Sequence, residues 1–307
     1  AALGFKRWVG HIDLEHEAVE LGFGKGIGAF LLDRVLCGQH MKRLGHVVPG
    51  TGDGDVLLLH CLQERGLRPL LANLSGNSDP RQAVAMLRQY NVDAVIVASS
   101  TVSKAFIDGC LAAEIPVVHA FGKPSGQSAI HVVGADNVQG GTLAAQTLLQ
   151  LGYGKIAFLG GPRSASSTVD RLKGFRDGLK TKGQAPIVEV FANSYSHEDG
   201  RQRMCELLMD ASIEAVFCGD DILAIGALDA CKEAGKSVPA DVGILGFNDI
   251  AMASWAAYDL STIRQPIAEI IITAVEQAIR LVADHQLQPR PLRFACEAVL
   301  RGTLRKI

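Results

Sequence analysis

Ala215-Val-Phe-Cys-Gly219 running into Asp220-Asp221, and Val242-Gly-Ile-Leu-Gly246 running into Phe247-Asn248-Asp249, are two apolar runs that each end in a short polar turn. Between them, Ile222 to Gly235 carries apolar residues at helical spacing. Short apolar strands alternating with helices imply a parallel sheet covered on both faces. Ligands of such sheets sit outside the carboxyl ends of the strands, so this pattern puts Asp220 and Asn248 at a binding edge.

The same alternation extends upstream. Lys155-Ile-Ala-Phe-Leu159 reads as a strand, Gly160 to Ser167 as a polar loop and Thr168 to Lys182 as a helix. Ile187-Val-Glu-Val-Phe191, the loop Asn193 to Gly200 and a helix to about Met209 complete that unit. An earlier series starts at Gly45-His-Val-Val-Pro49, with helices over Val56–Gly66, Pro80–Tyr90 and Val102–Glu114. Its strands are Arg68–Asn73, Ala94–Ala98, Pro116–Ala120 and His131–Val133. Asp79-Pro80 is a helix start, a capping residue followed by proline at the first helical position. At 307 residues and 32.6 kDa the chain exceeds the size at which one core stops growing, so two lobes are expected.

Composition narrows the class. The chain is 48% hydrophobic with mean hydropathy +0.19, yet charge or glycine breaks every apolar run short of the roughly 18 residues a membrane span needs. No transmembrane helix and no secretory signal are expected. The seven cysteines (37, 61, 110, 205, 218, 231 and 296) are odd in number, scattered and never in a C-x-x-C pair, as buried reduced thiols of a cytoplasmic protein would be. A net charge of -2 gives no chain-wide attraction for nucleic acid, so a DNA contact has to come from a local element. Catalytic motifs are missing: there is no G-x-S-x-G, H-E-x-x-H or Walker loop, and the nine histidines lack metal-ligand spacing. No enzyme activity, metal or cofactor is expected. Gly22-Phe-Gly-Lys-Gly-Ile-Gly28 reads as a glycine-rich linker, with no convincing strand before it and no acidic ribose partner after it.

The stretch from Ala215, followed by Leu260-Ser-Thr-Ile-Arg-Gln-Pro266, resembles the lactose-repressor/galactose-repressor family of bacterial transcription regulators. The ending Glu297-Ala-Val-Leu-Arg-Gly-Thr303 resembles that family's final strand. The resemblance implies an α/β, periplasmic-binding-protein-like fold: two doubly wound parallel-sheet lobes joined by a three-crossing hinge, with a short N-terminal headpiece remnant. It divides the chain into a diverged or truncated DNA-binding headpiece and hinge over 1–44, a first effector-binding lobe over 45–149 plus 266–287, and a second over 150–265 plus 288–307. Glu17-Ala-Val-Glu-Leu-Gly-Phe23 resembles the end of a headpiece helix and Leu32-Asp-Arg-Val-Leu-Cys-Gly38 the hinge, but the family's Val-Ser-x-x-Thr-Val-Ser-Arg recognition helix is missing. The loop Pro49-Gly-Thr-Gly-Asp-Gly-Asp55 also departs from the family pattern.

Carried over by the same resemblance, the effector contacts are Asp136, Ser167, Arg171, Tyr195, Asp220 and Asn248. Arg171 would supply a fork of donors, Tyr195 a ring face, and the carboxylates and amide partners for ligand hydroxyls. Asp136 also suits a helix cap, and Asn248-Asp249 a plain turn. Ala165 stands where relatives often carry a polar side chain. The reading is a regulator, a repressor, that binds a small sugar or derivative, with a purine-like ligand as the alternative. Its partners would be operator DNA through the headpiece and a second copy in a homodimer, through helices near Val84–Leu87 and Ile270–Leu281, with no membrane contact. The rival is a periplasmic solute-binding protein for sugar uptake, which shares the two-lobe fold.

Overall fold

The computed structural model describes residues 26–35, 41–45, 52–75, 79–98, 103–123 and 130–306. The elements of the first lobe, in chain order, are β1 Gly26–Val35, β2 Met41–Gly45, α1 Gly52–Glu64, β3 Leu67–Ser75, α2 Pro80–Gln89, β4 Val92–Ala98, α3 Lys104–Ala112, β5 Val117–Ala120 and β6 His131–Ala135. Then come α4 Asn137–Gln150, β7 Ile156–Gly160, α5 Ser166–Lys180, β8 Glu189–Phe191, α6 His197–Leu207, β9 Ala215–Cys218, α7 Asp221–Glu233, β10 Gly243–Asn248 and β11 Ser261–Arg264. The chain closes with α8 Ile267–Ala283, β12 Pro291–Phe294 and β13 Glu297–Val299.

The strands form two sheets, ordered β12-β6-β5-β4-β1-β2-β3 and β13-β11-β10-β9-β7-β8. Each is doubly wound and mostly parallel, as the alternating pattern requires. Two strands depart from parallel pairing: β1 runs antiparallel to β2, β3 and β4, and β13 runs antiparallel to β11. Parallel sheets readily take such a strand.

Helix α8 shows why the chain returns to the first lobe. Ile270, Ile271, Ala274, Val275, Ala278 and Leu281 recur at three- and four-residue spacing and are all buried against the first sheet's core. In the second lobe the sheet separates two apolar layers. One joins α6 and α7; the other joins α4 and α5 around Phe158, Phe175, Phe217 and Phe247. Phe175 and Phe217 lie 5.0 Å apart between centroids, within the range of favourable ring pairs. Helices α4 and α5 touch backbone to backbone, since a Cβ on Gly141 would collide with the Arg171 carbonyl and one on Gly174 with the Val138 carbonyl.

The chain crosses between lobes three times: at Asp136, at Gln265-Pro266 and at Ala295-Cys296. Two domain boundaries differ from those expected. Helix α4 belongs to the second lobe, because Ala144, Ala145 and Leu148 pack in its core, so the first crossing is at Asp136 rather than after residue 149. Strand β12 pairs with β6 and so lies in the first sheet, which moves the last crossing from residue 288 to just beyond Phe294.

The 1–44 segment also differs from a plain headpiece and hinge. Its apolar run Ile27 to Leu32 lies in β1 of the first sheet, where the chain had been expected to form a linker and hinge. The expected headpiece helix at 17–23, and the strand at 46–49, lie outside the described residues. No described helix is long and apolar enough to cross a membrane. The six described cysteines are free thiols, and Cys37 lies outside the described residues.

Candidate functional site

Strands β7, β9 and β10 end on the side of the second lobe where the crossings meet. Asp220 caps α7: its Oδ1 accepts the Ile222 N–H at 2.9 Å, satisfying one of the helix's free amides. Its other oxygen accepts from Asn248 Nδ2 at 2.7 Å. Asn248 closes β10 with φ 122° and Asp249 follows at φ 59°, a left-handed pair that non-glycine residues adopt at a cost. Asn248 thus lies in a turn at the carboxyl end of β10.

Arg171 joins these groups to α4. It is only 5% exposed, and its guanidinium lies 3.7 Å over the Phe247 ring. Nε donates to Asn137 Oδ1 at 2.8 Å, NH1 to the Gly219 carbonyl at 2.6 Å and NH2 to Asn248 Oδ1 at 3.3 Å. Gln265, at the second crossing, also donates to Asn248 Oδ1. A guanidinium has five N–H donors, and three of them are engaged inside this frame, which fixes the orientation of the fork. Burial lowers the Arg171 pKa from its usual value, opposed by nearby acids that include Asp220. Burial likewise raises that of Asp220, opposed first by Arg171.

The remaining expected contacts divide into two groups. Asp136 caps α4, accepting the Gln139 N–H at 3.0 Å, and is half-buried at the first crossing. Tyr195 does not stand free: its hydroxyl lies 2.9 Å from both Ser167 Oγ and Thr168 Oγ1, tying the 193–196 loop to the start of α5. Tyr195 is 36% exposed, so part of its ring can still meet a ligand. Ala165 is buried at the N-cap of α5, where it makes no side-chain capping bond.

Gly122, Lys123, Gly134 and Ala135 of the first lobe and Asn137, Ser166 and Asp170 of the second line a narrow crevice. Lys123 Nζ meets Asp170 Oδ1 at 2.5 Å across it. The six expected contacts thus fall into three clusters around the crossings: Arg171, Asp220 and Asn248 in one hydrogen-bonded set, Ser167 with Tyr195 in a second, and Asp136 alone. The arrangement can bind hydroxyls and oxygens. It shows no nucleophile paired with a base, and the described residues contain no group of His, Cys, Asp and Glu able to hold a metal.

Several partners escaped the sequence reading. Asn137, Thr168 and Gln265 contact the expected residues from 34, 27 and 17 positions away along the chain, and short-range spacing carries no trace of such contacts. Asp221, beside Asp220, is fully buried; it accepts from Thr262 Oγ1 at 2.6 Å and the Ile250 N–H at 2.9 Å. The Asp-Asp pair was visible in sequence, but which carboxylate faces the edge depends on the cap geometry. Asp249 accepts from Arg264 at 2.6 Å and Arg301 at 2.7 Å, pinning the strained turn behind Asn248.

Comparison with known proteins gives this geometry a setting. Residues 145–304 match the periplasmic binding protein-like domain model. The chain is 28% identical to the HTH-type transcriptional regulator AscG of Escherichia coli K12, over 89% of this chain and 84% of that protein. It is 29% identical to the HTH-type transcriptional repressor PurR of Actinobacillus pleuropneumoniae, over 81% and 75%. The structure of a LacI family transcriptional regulator from Enterococcus faecium with bound ribose superposes with a TM-score of 0.72 at 26% identity, covering 84% of this chain and 96% of that one.

Proposed function

The chain belongs to the lactose-repressor/galactose-repressor family of transcription regulators, and from that premise we propose that it binds a small sugar-like effector between its lobes and controls DNA binding accordingly. The observation that carries the effector site is the Arg171–Asn248–Asp220 network, a preorganised set of donors and acceptors at the carboxyl edge of the second sheet. Asp136, Ser167 and Tyr195 complete the contacts from the first crossing, the start of α5 and the loop before α6. A ribose-bound relative of the same fold supports a sugar, while the purine-repressor relative keeps a purine-like ligand as the alternative.

Effector binding acts by population shift. A ligand gripped by both lobes favours the closed arrangement, and it alters DNA affinity only as far as it binds the two arrangements differently. A dimer would convert lobe closure into a change in the spacing of paired headpieces. The protein acts in the cytoplasm and catalyses no reaction, a reading supported by relatives that are regulators and by free, mostly buried thiols. The solute-binding alternative is disfavoured by the same relatives. The test is a gel shift with genomic fragments around the gene, with and without a sugar panel. Retardation by this chain should be weak, because the family's recognition helix is missing from 1–44, and one sugar should change it. Sugar binding that changes the retardation of no fragment would favour the solute-binding protein.

A further inference from the structure

A second concave surface lies on the second lobe, beside the Ser167–Tyr195 cluster, since Thr168 is among its lining residues. On α5, Ser166 and Asp170 face the crevice, whereas Val169, Leu172, Lys173, Arg176 and Lys180 recur at helical spacing on another face. Together with Arg163 and Phe191 they line a groove of about 520 Å³. Its floor is apolar, with Val169 47% exposed and the Phe191 ring beneath the Arg163 guanidinium at 3.7 Å. Its rim is cationic.

The charges there do not balance. Arg176 is held by Glu189 at 2.7 Å, and Lys173 by Asp177 at 2.7 Å. Lys180 has a share in that same Asp177 at 4.0 Å, and Arg163 shows no carboxylate partner among the described residues. Four cations thus face two carboxylates on a chain whose net charge is -2. Arg163, without a carboxylate, and Lys180, which only shares Asp177, stand near the two ends of α5. A helix of that length spans roughly 22 Å at about 1.5 Å per residue, longer than a sugar-sized molecule. Stacking on Phe191 also holds one face of the Arg163 fork in place, with its edges open to a carboxylate.

We propose that this groove is a docking surface for an acidic, amphipathic segment of a partner protein, with carboxylates on Arg163 and Lys180 and apolar side chains over Val169, which is 47% exposed. The shape and charge favour such a segment over a free anion, because a small anion would leave the apolar floor between the two cations uncovered.

The test uses the full chain and a dye-labelled helical peptide of about 14 residues, enough to run the groove at roughly 1.5 Å per residue, with glutamates and leucines on one face. Its controls are a scrambled-order peptide and a version with lysine for every glutamate. Fluorescence anisotropy at low salt should show binding of the first peptide alone, weakening as salt rises. The double variant Arg163→Glu/Lys180→Glu should bind it at least about tenfold more weakly, with its thermal melt and sugar binding unchanged. Val169→Asp provides a second, independent variant that should also weaken binding. Failure of the peptide to bind, equal binding of the controls, or affinity within about twofold in both variants would overturn the proposal, as would displacement by inorganic phosphate at equal charge concentration. Sugar binding is read separately, so the outcome does not depend on the effector cleft.

Discussion

Asn248 Nδ2 donates to Asp220 Oδ2 at 2.7 Å while Asn248 Oδ1 receives Arg171, so an amide stands between a carboxylate and a guanidinium. Only a group that donates on one side and accepts on the other satisfies both neighbours. Asn248→Asp would set two carboxylates against each other in a buried site and should cost about 2 kcal/mol or more in stability. Asp220→Asn should cost less, since Arg171 still finds its acceptor. The exchanged pair Asp220→Asn/Asn248→Asp restores one donor and one acceptor and should recover most of the loss. Urea unfolding of all four proteins measures the coupling, and simple additivity would show that the two side chains do not act as a pair.

The second prediction concerns the seam between α4 and α5. Because a Cβ on Gly174 would run into the Val138 carbonyl, Gly174→Ala has to push two helices apart although alanine is the better helix former. The expected cost is about 2 to 3 kcal/mol, an overpacking penalty. Gly152, in the turn after α4, has φ 79° and open space around its Cβ position, so Gly152→Ala should lose only backbone strain, about 1 kcal/mol. Equal melting temperatures for the two variants would contradict the close helix contact.

The third prediction is a pH dependence. Burial pushes the Asp221 pKa from 3.8 up to about 7, and burial raises that of Asp220 in the same direction. Between those two values the folded chain holds a proton on Asp221 that the unfolded chain has released. Stability therefore falls as pH rises from about 4 to about 7 through this residue, and its contribution levels off above. Asp221→Asn, which keeps an acceptor for Thr262, should flatten that slope while lowering stability at the acid end, where the Ile250 amide loses its partner. Chemical denaturation at several pH values reads the slope. An unchanged slope would remove Asp221 as its source.

The fourth prediction concerns the Lys123–Asp170 pair, which spans the crevice and so counts only when the lobes are together. Lys123 is about half exposed, which limits the pair to about 1 kcal/mol or less. Lys123→Ala should nonetheless shift the unliganded protein toward open forms, raising its radius of gyration in X-ray scattering, and high salt should do the same to the parent. Scattering identical to the parent at both salt concentrations would show that the pair has no part in closure.

Much of this was legible in the sequence because the strand runs are short, apolar and closed by polar turns. Asp220 and Asn248 follow from that pattern, and Asp79 and Asp136 announce helix starts that the structure shows as caps. Lobe membership was harder to read. The sequence of α4 gives a helix but not the core it joins, and four residues of β12 carry too little pattern to choose a sheet. The partners of Arg171 were invisible for the same reason, since Asn137, Gly219 and Asn248 meet it only once the fold has closed. The sequence left Arg171 between a ligand contact and a solvated surface pair; in the structure it is buried and ties α4 to the ends of β9 and β10.

Arg171 anchors this network, so it offers the most direct test of the proposed effector site. Calorimetry of the parent against a panel of sugars and purines should find at least one sugar that binds. Arg171→Lys keeps the charge but loses the fork, and it should weaken that sugar by about 2 to 3 kcal/mol, the scale of a hydrogen bond to a charged group. Tyr195→Phe, which loses only the hydroxyl held by Ser167 and Thr168, should cost about 1 kcal/mol. Sugar binding at parental affinity in Arg171→Lys, with the variant still folded, would contradict the account and place the effector away from this network.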